Sequence, residues 1–110
     1  MKQSRKLIFL MLAAFFVGLG IANLNSWRVS RQLAIARAAF QVRDSDNAMI
    51  ALVEASRLDP ANGEVHLLRA RAFRRKGELQ NVRQALETAA RNGIALHRIR
   101  REEWLAMAQS

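Results

Sequence analysis

The side chains best suited to chemistry in this sequence are its arginines. Fifteen of the eighteen basic residues are Arg, set against nine acidic residues, and the net charge is +9. Arg74 and Arg75 follow Arg71 by three and four residues, so on a helix all three share a face. A planar guanidinium donates two parallel hydrogen bonds to a carboxylate, and a cluster of them can hold an acidic segment or a chain-terminal carboxylate. The same three residues also read as an ordinary solvated face in an Arg-rich chain. Arg69 differs from them. It falls at an inward position, where it needs a carboxylate such as Glu87 or must snorkel outward.

Acid–base and metal chemistry find little to work with. Cysteine is absent, which excludes disulfides, thiolate nucleophiles and Cys-ligated metals. His66 and His97 are the only histidines, and neither has partners at metal-ligand spacing. His66 reads as a partly buried structural residue and His97 as a solvated one. Glu102 and Glu103 are adjacent, so on a helix they project about 100° apart and form a poor acid/base pair. No Gly-rich phosphate loop occurs. The expectation is no catalytic residue, no metal, no cofactor, and a binding protein rather than an enzyme. The basic surplus suits acidic proteins, anionic lipid headgroups or nucleic acid. Nucleic acid is expected to be the weakest of the three.

The elements that must position these residues read as helices. Hydrophobic content of 51% with 6% aromatics, no Tyr and one Pro suits Ala/Leu-rich helices better than strands. Lys2, Arg5 and Lys6 precede an apolar run from Leu7 to Leu24, about 27 Å long as a helix and close to a bilayer core. Trp27 follows as an interfacial aromatic. Residues 1–27 are therefore expected to be a transmembrane signal anchor, a cleaved signal peptide being the alternative. Within it Ala14, Gly18 and Ala22 recur every fourth residue, a spacing that lets two helices approach closely. Residues 28–110 are expected to form the folded domain. There, helices are predicted over Ser30–Val42, Ala48–Leu58, Glu64–Lys76 and Glu78–Arg91, with a fifth from Leu96. Asp44–Asn47, Asp59–Gly63, Gly77 and Asn92–Gly93 punctuate them.

Aligning Pro60 with Ile94 reveals a period of 34 residues: Ala36 falls on Ala70, Ala48 on Val82, Leu52 on Leu86 and Ala55 on Ala89. A helix–turn–helix repeat of this length resembles the tetratricopeptide family. Ala70, Phe73 and Gly77 match its small, aromatic and turn positions. Ala48, Leu52, Ala55 and Pro60 match its second helix and repeat junction. The departures are Arg43 where the turn Gly is usual, Phe40 one residue late, Arg69 in place of a buried Leu, and Ile94 in place of Pro. The resemblance implies an all-α chain: an amino-terminal transmembrane helix, then a short antiparallel helix-pair solenoid. Its units would be residues 29–62, 63–96, and a capping or truncated third unit over 97–110, which opens after four extra residues with Trp104, Met107 and Ala108 at the family's spacing. In the cap, Arg98, Arg100, Arg101, Glu102 and Glu103 would form a polar outer face.

The resemblance further implies a concave groove lined by the first helix of each unit, here Leu33, Arg37, Phe40, Gln41, Leu67, Arg71, Arg74 and Arg75. The expected function is a membrane-tethered, non-enzymatic adaptor or assembly factor. Its partner would be a protein with an acidic or C-terminal carboxylate segment. An accessory subunit held mainly through its transmembrane helix, and the amino-terminal part of a longer repeat protein, are the alternatives. The expected location is the bacterial inner membrane, single-pass, with the carboxy-terminal domain periplasmic. A cytoplasmic domain, or secretion after signal cleavage, is the alternative.

Overall fold

A computed structural model describes residues 2–109 of the chain, and within them the side chains of residues 4–17 and 24–109. The described residues form an all-α structure of five helices: α1 (Lys2–Gln41), α2 (Ser45–Leu58), α3 (Gly63–Arg75), α4 (Leu79–Arg91) and α5 (Leu96–Gln109). The segments after Arg43 match the predicted helices to within three residues. Upstream, one continuous helix replaces the two predicted pieces. No Pro or Gly stands between Leu24 and Ser30, so nothing there interrupts the backbone hydrogen bonding.

That long helix requires a correction. Among the described residues no helix is long and apolar enough to cross a membrane. The expected transmembrane anchor, and with it the single-pass placement in a bacterial inner membrane with a periplasmic domain, is therefore withdrawn. Of the expected helix-pairing residues, Ala14 is exposed on α1, and Gly18 and Ala22 lie outside the described side chains.

The turns between helices follow from local chemistry. Three helices end in the same way, with a residue in the left-handed region: Arg43 (φ +59°), Gly77 (φ +79°) and Gly93 (φ +89°). At each, the following N–H returns to a carbonyl of the last turn: Asp44 to Ala39 at 2.9 Å, Glu78 to Phe73 at 2.9 Å and Ile94 to Ala89 at 3.2 Å. This is the Schellman arrangement, in which glycine is the unstrained occupant. Asp44 then caps α2 by accepting from the Asn47 N–H at 3.1 Å, and Asn62 caps α3 by accepting from the Glu64 N–H at 3.1 Å. The α2–α3 turn also demands Gly63. A Cβ there would lie 2.8 Å from the Asn92 carbonyl oxygen and from Ile94 Cγ1.

Short connections make sequential helices antiparallel neighbours, and they stack as hairpins α1/α2 and α3/α4 with α5 closing the row. Two apolar clusters fill the stack. One joins Val29, Leu33, Ala36 and Phe40 to Ala48, Leu52 and Ala55, and takes Val65, Leu68 and Ala72 from α3. The other joins Leu67 and Ala70 to Val82, Ala85, Leu86 and Ala89, and takes Ile99 and Ala106 from α5. α3 thus has two apolar faces, one packed backward onto α2 and one forward onto α4. The helix positions paired by the 34-residue alignment, Ala36/Ala70, Ala48/Val82, Leu52/Leu86 and Ala55/Ala89, are buried in both hairpins, whereas Pro60, paired with Ile94, is exposed. Ala36, Ala55, Ala70 and Ala89 are completely inaccessible, because only a methyl group fits where two helix backbones approach this closely.

Such contacts leave no room for growth. Ala70→Leu is expected to lower unfolding free energy by about 1–3 kcal/mol through overpacking, read as an earlier urea midpoint by circular dichroism. An unchanged midpoint would show that α3 and α4 are not held at methyl-to-backbone distance.

Candidate functional site

The arginines singled out by spacing converge on one surface, where α1, α3 and α5 meet. Their guanidinium groups reach it because positions three and four apart on α3 rise along a common face. Arg71 brings Nε and Nη2 to within 3.1 and 3.0 Å of Glu102 Oε1. Arg74 Nε donates to Glu102 Oε2 at 3.1 Å. The Glu102 side chain is only 4% exposed, so one buried carboxylate of α5 accepts from two guanidinium groups of α3. Arg75 donates from Nη1 to the Phe40 carbonyl oxygen at 2.9 Å, and its guanidinium sits 5.0 Å from the centre of the Phe40 ring. Arg71 approaches the same ring at 5.8 Å, both within cation–π range.

A second carboxylate ties the other end of this surface. Arg98 of α5 grips Glu64 of α3 bidentately, with both contacts at 2.8 Å, and Arg37 of α1 stands 3.5 Å from the same carboxylate. The hydrogen bonds from Arg98 hold the Glu64 carboxyl below its usual pKa, against an opposing contribution from burial.

The positive charges outnumber their partners. Among the described residues, the ion pairs of Arg37, Arg43, Arg71, Arg74, Arg75 and Arg98 draw on two carboxylates, Glu64 and Glu102. Arg75 registers the excess. Its pKa is lowered first by desolvation and then by repulsion from Arg74, Arg71 and Arg43, with Glu102 opposing. Arg43 makes no ion pair among the described residues. Together with Ser45, Arg74, Arg75 and Gln109 it lines an open cleft of about 390 Å³.

Of the eight groove residues expected from sequence, five are where a partner could meet them. Arg37 and Gln41 are exposed, and Arg71, Arg74 and Arg75 share the basic surface. Leu33, Phe40 and Leu67 are buried in the core and give no apolar foothold, because they carry the packing of α1 on α2 and of α3 on α4. Sequence reasoning missed Arg43, Glu64, Arg98 and the role of Glu102. Glu102 had been placed on a solvated outer face, yet it is buried against α3. Its signal was available, since one period separates it from Leu68, a position that faces inward. Arg69 does not meet Glu87. It lays its guanidinium 5.8 Å from the centre of the Phe73 ring and leaves Nε buried without a hydrogen-bond partner. His66 is buried and donates from Nε2 to the Pro60 carbonyl oxygen at 2.7 Å, which holds the α2–α3 turn.

No protein-family model matches the chain, and neither a curated protein nor a solved structure does.

The depressed Glu64 pKa gives a signed prediction. A carboxyl whose folded pKa lies below its unfolded value stabilises the fold above the unfolded pKa, and that contribution disappears as pH falls through the folded value. Stability is therefore expected to drop as pH falls below about 4.3. Glu64→Gln should lower the urea midpoint at pH 7 and flatten its decline on acidification. An equally steep acid decline in Glu64→Gln would assign it to other carboxylates.

Proposed function

We propose that this chain is a non-enzymatic helical-repeat module, similar to tetratricopeptide proteins, that binds an acidic segment of a partner protein on the basic surface of α1, α3 and α5. The repeat reading rests on the 34-residue period, whose paired helix positions from Ala36/Ala70 to Ala55/Ala89 are buried in both hairpins. The binding reading rests on one observation: the guanidinium groups of Arg43, Arg74 and Arg75 border an open cleft, and among the described residues only Arg74 of the three is ion-paired, to Glu102. One or two further carboxylates would relieve the repulsion registered at Arg75, and the charge-assisted bonds would be worth roughly 1.5–3 kcal/mol each.

Arg43 strengthens the reading. It holds a left-handed conformation that costs an L-residue roughly 1–2 kcal/mol, at the turn position where the next hairpin has Gly77. A strained backbone occupied by a charged residue is a pointer to function, because glycine would be the stable choice there.

The test uses a short fluorescent peptide rich in glutamate and ending in a free carboxylate, titrated into the full chain and followed by anisotropy. Binding should weaken as salt rises, and Arg75→Glu should weaken it by about tenfold or more. Arg43→Gly should separate two properties, raising unfolding free energy by about 1 kcal/mol while weakening the peptide. If Arg43→Gly and Arg75→Glu both bind like the parent chain, the basic surface is a structural feature and the proposal fails.

A further inference from the structure

A different surface lies at the far end of the stack, where the period of 34 exposes a mismatch. On α3, Val65, Leu68 and Ala72 pack backward onto α2. One period on, their counterparts Ile99, Glu102 and Ala106 are the buried residues of α5. The forward face of α3, which α4 covers, carries Leu67 and Ala70 and is 1% and 0% exposed at those residues. Its counterparts on α5 are Arg101 and Trp104. Both are exposed, Trp104 by 65%. α5 therefore repeats the placement of α3 while the side on which α3 receives a second helix stays open.

Beside that side runs a cleft of about 340 Å³ between α4 and α5, walled by Leu79, Val82 and Leu86 of α4 and Ala106 of α5, with Arg83 and Glu103 at its rim. Val82, Leu86 and Ala106 belong to the second core cluster, so the cleft continues an existing apolar interface out to solvent. Leu79, at 41% exposure, and Met107 are its most exposed apolar walls.

We infer that the α4–α5 cleft, together with Trp104, is a docking site for an amphipathic helix of a partner chain, packed on α5 as α4 packs on α3. The two helices that already do this work define the chemistry of the occupant. α2 presents Ala48, Leu52 and Ala55, and α4 presents Val82, Leu86 and Ala89, in each case a small–large–small stripe at i, i+4 and i+7. The occupant carries the same stripe, read out by helix-in-groove packing. Arg83 and Glu103 line the rim, and Arg100 and Arg101 add two exposed positive charges to the same stretch of α5, so carboxylates flank that stripe. A second copy of the chain, with its own net charge of +9, is a poor electrostatic match for the same rim. The site is independent of the basic cleft bordered by Arg43 and Arg75.

The chain contains a suitable probe. A synthetic peptide of residues 44–59 carries the α2 stripe with Asp44, Asp46, Glu54 and Asp59 against a single Arg57. Titrated into full-length chain bearing Trp27→Phe, which leaves Trp104 as the only tryptophan, it should shift Trp104 emission to the blue with saturation. Leu79→Glu should weaken that response by about tenfold or more without altering helicity, and Arg75→Glu should leave it unchanged. No shift at millimolar peptide, or equal binding by Leu79→Glu, would overturn the assignment. So would loss of the response in Arg75→Glu, which would move the peptide to the basic cleft. A blue shift that grows with chain concentration alone, accompanied by dimers in sedimentation, would overturn it in favour of a second copy.

Discussion

Glu102 stands one period after Leu68, and at that position a charge has replaced a hydrocarbon. A carboxylate only 4% exposed would be expelled from a protein interior unless opposite charges met it, since an unpaired buried ion costs several kcal/mol. Arg71 and Arg74 supply those charges from successive turns of α3, with bonds at 3.0–3.1 Å to both oxygens. α5 is thus held to the stack by directional bonds as well as by Ile99 and Ala106. An apolar contact would tolerate sliding along α3, whereas two guanidinium groups sharing one carboxylate fix where α5 sits. Glu64 repeats the device one turn from the other end, gripping Arg98 of α5 with Arg37 of α1 close by. The three inner helices are joined by carboxylates placed among arginines, and this linkage decides which arginines retain capacity for a partner.

That capacity is unevenly shared. Arg71 and Arg74 share the single charge of Glu102, and Arg98 is paired with Glu64. Arg75 has only a backbone carbonyl and an aromatic ring, and Arg43 has no ion pair among the described residues. The positive potential therefore rises toward the end of the surface bordered by Arg43, Arg75 and Gln109. Two like charges without an ion pair among the described residues, Arg43 and Arg75, gather there, and they are held in place by covalent and packing constraints that stand whether or not an anion is present. The left-handed backbone of Arg43 fits the same picture. The chain tolerates strain at a turn where glycine would be relaxed, and in return a guanidinium stands at the mouth of the cleft.

Much of this was legible in the sequence because the determinants were local or periodic. Gly77, Asn92–Gly93, Asp44 and Asn62 mark turns by their own conformational chemistry, and the helices end at them. The 34-residue spacing of Ala36 and Ala70, or of Leu52 and Leu86, foretold which faces are buried. Two kinds of information were not local. Arg69 has an inward position on periodicity alone, but whether it meets Glu87 or stacks on Phe73 depends on the exact rotation of α3 against α4. Glu102 sits in a run of charged residues, and its neighbours Arg101 and Glu103 are solvated, so composition pointed outward while the period pointed inward. The period was the better guide. The amino-terminal run misled: its apolar residues read as a membrane anchor, whereas among the described residues no helix is long and apolar enough to cross a membrane.

The two open surfaces answer to different physics, and this separates what each can recognise. The basic end has hydrogen-bond donors in excess and its apolar neighbours, Leu33, Phe40 and Leu67, already buried. A partner there gains from charge and little from hydrophobic contact, so its affinity must fall with salt. The α4–α5 cleft has the reverse balance. Leu79 and Trp104 offer hydrocarbon and ring surface, and burying them is worth a few kcal/mol in a form that salt does not screen. A single extended acidic peptide would satisfy only the first surface. A helix with an apolar stripe flanked by carboxylates would satisfy the second, and the helix–turn–helix geometry of the stack supplies the pattern for how it would lie.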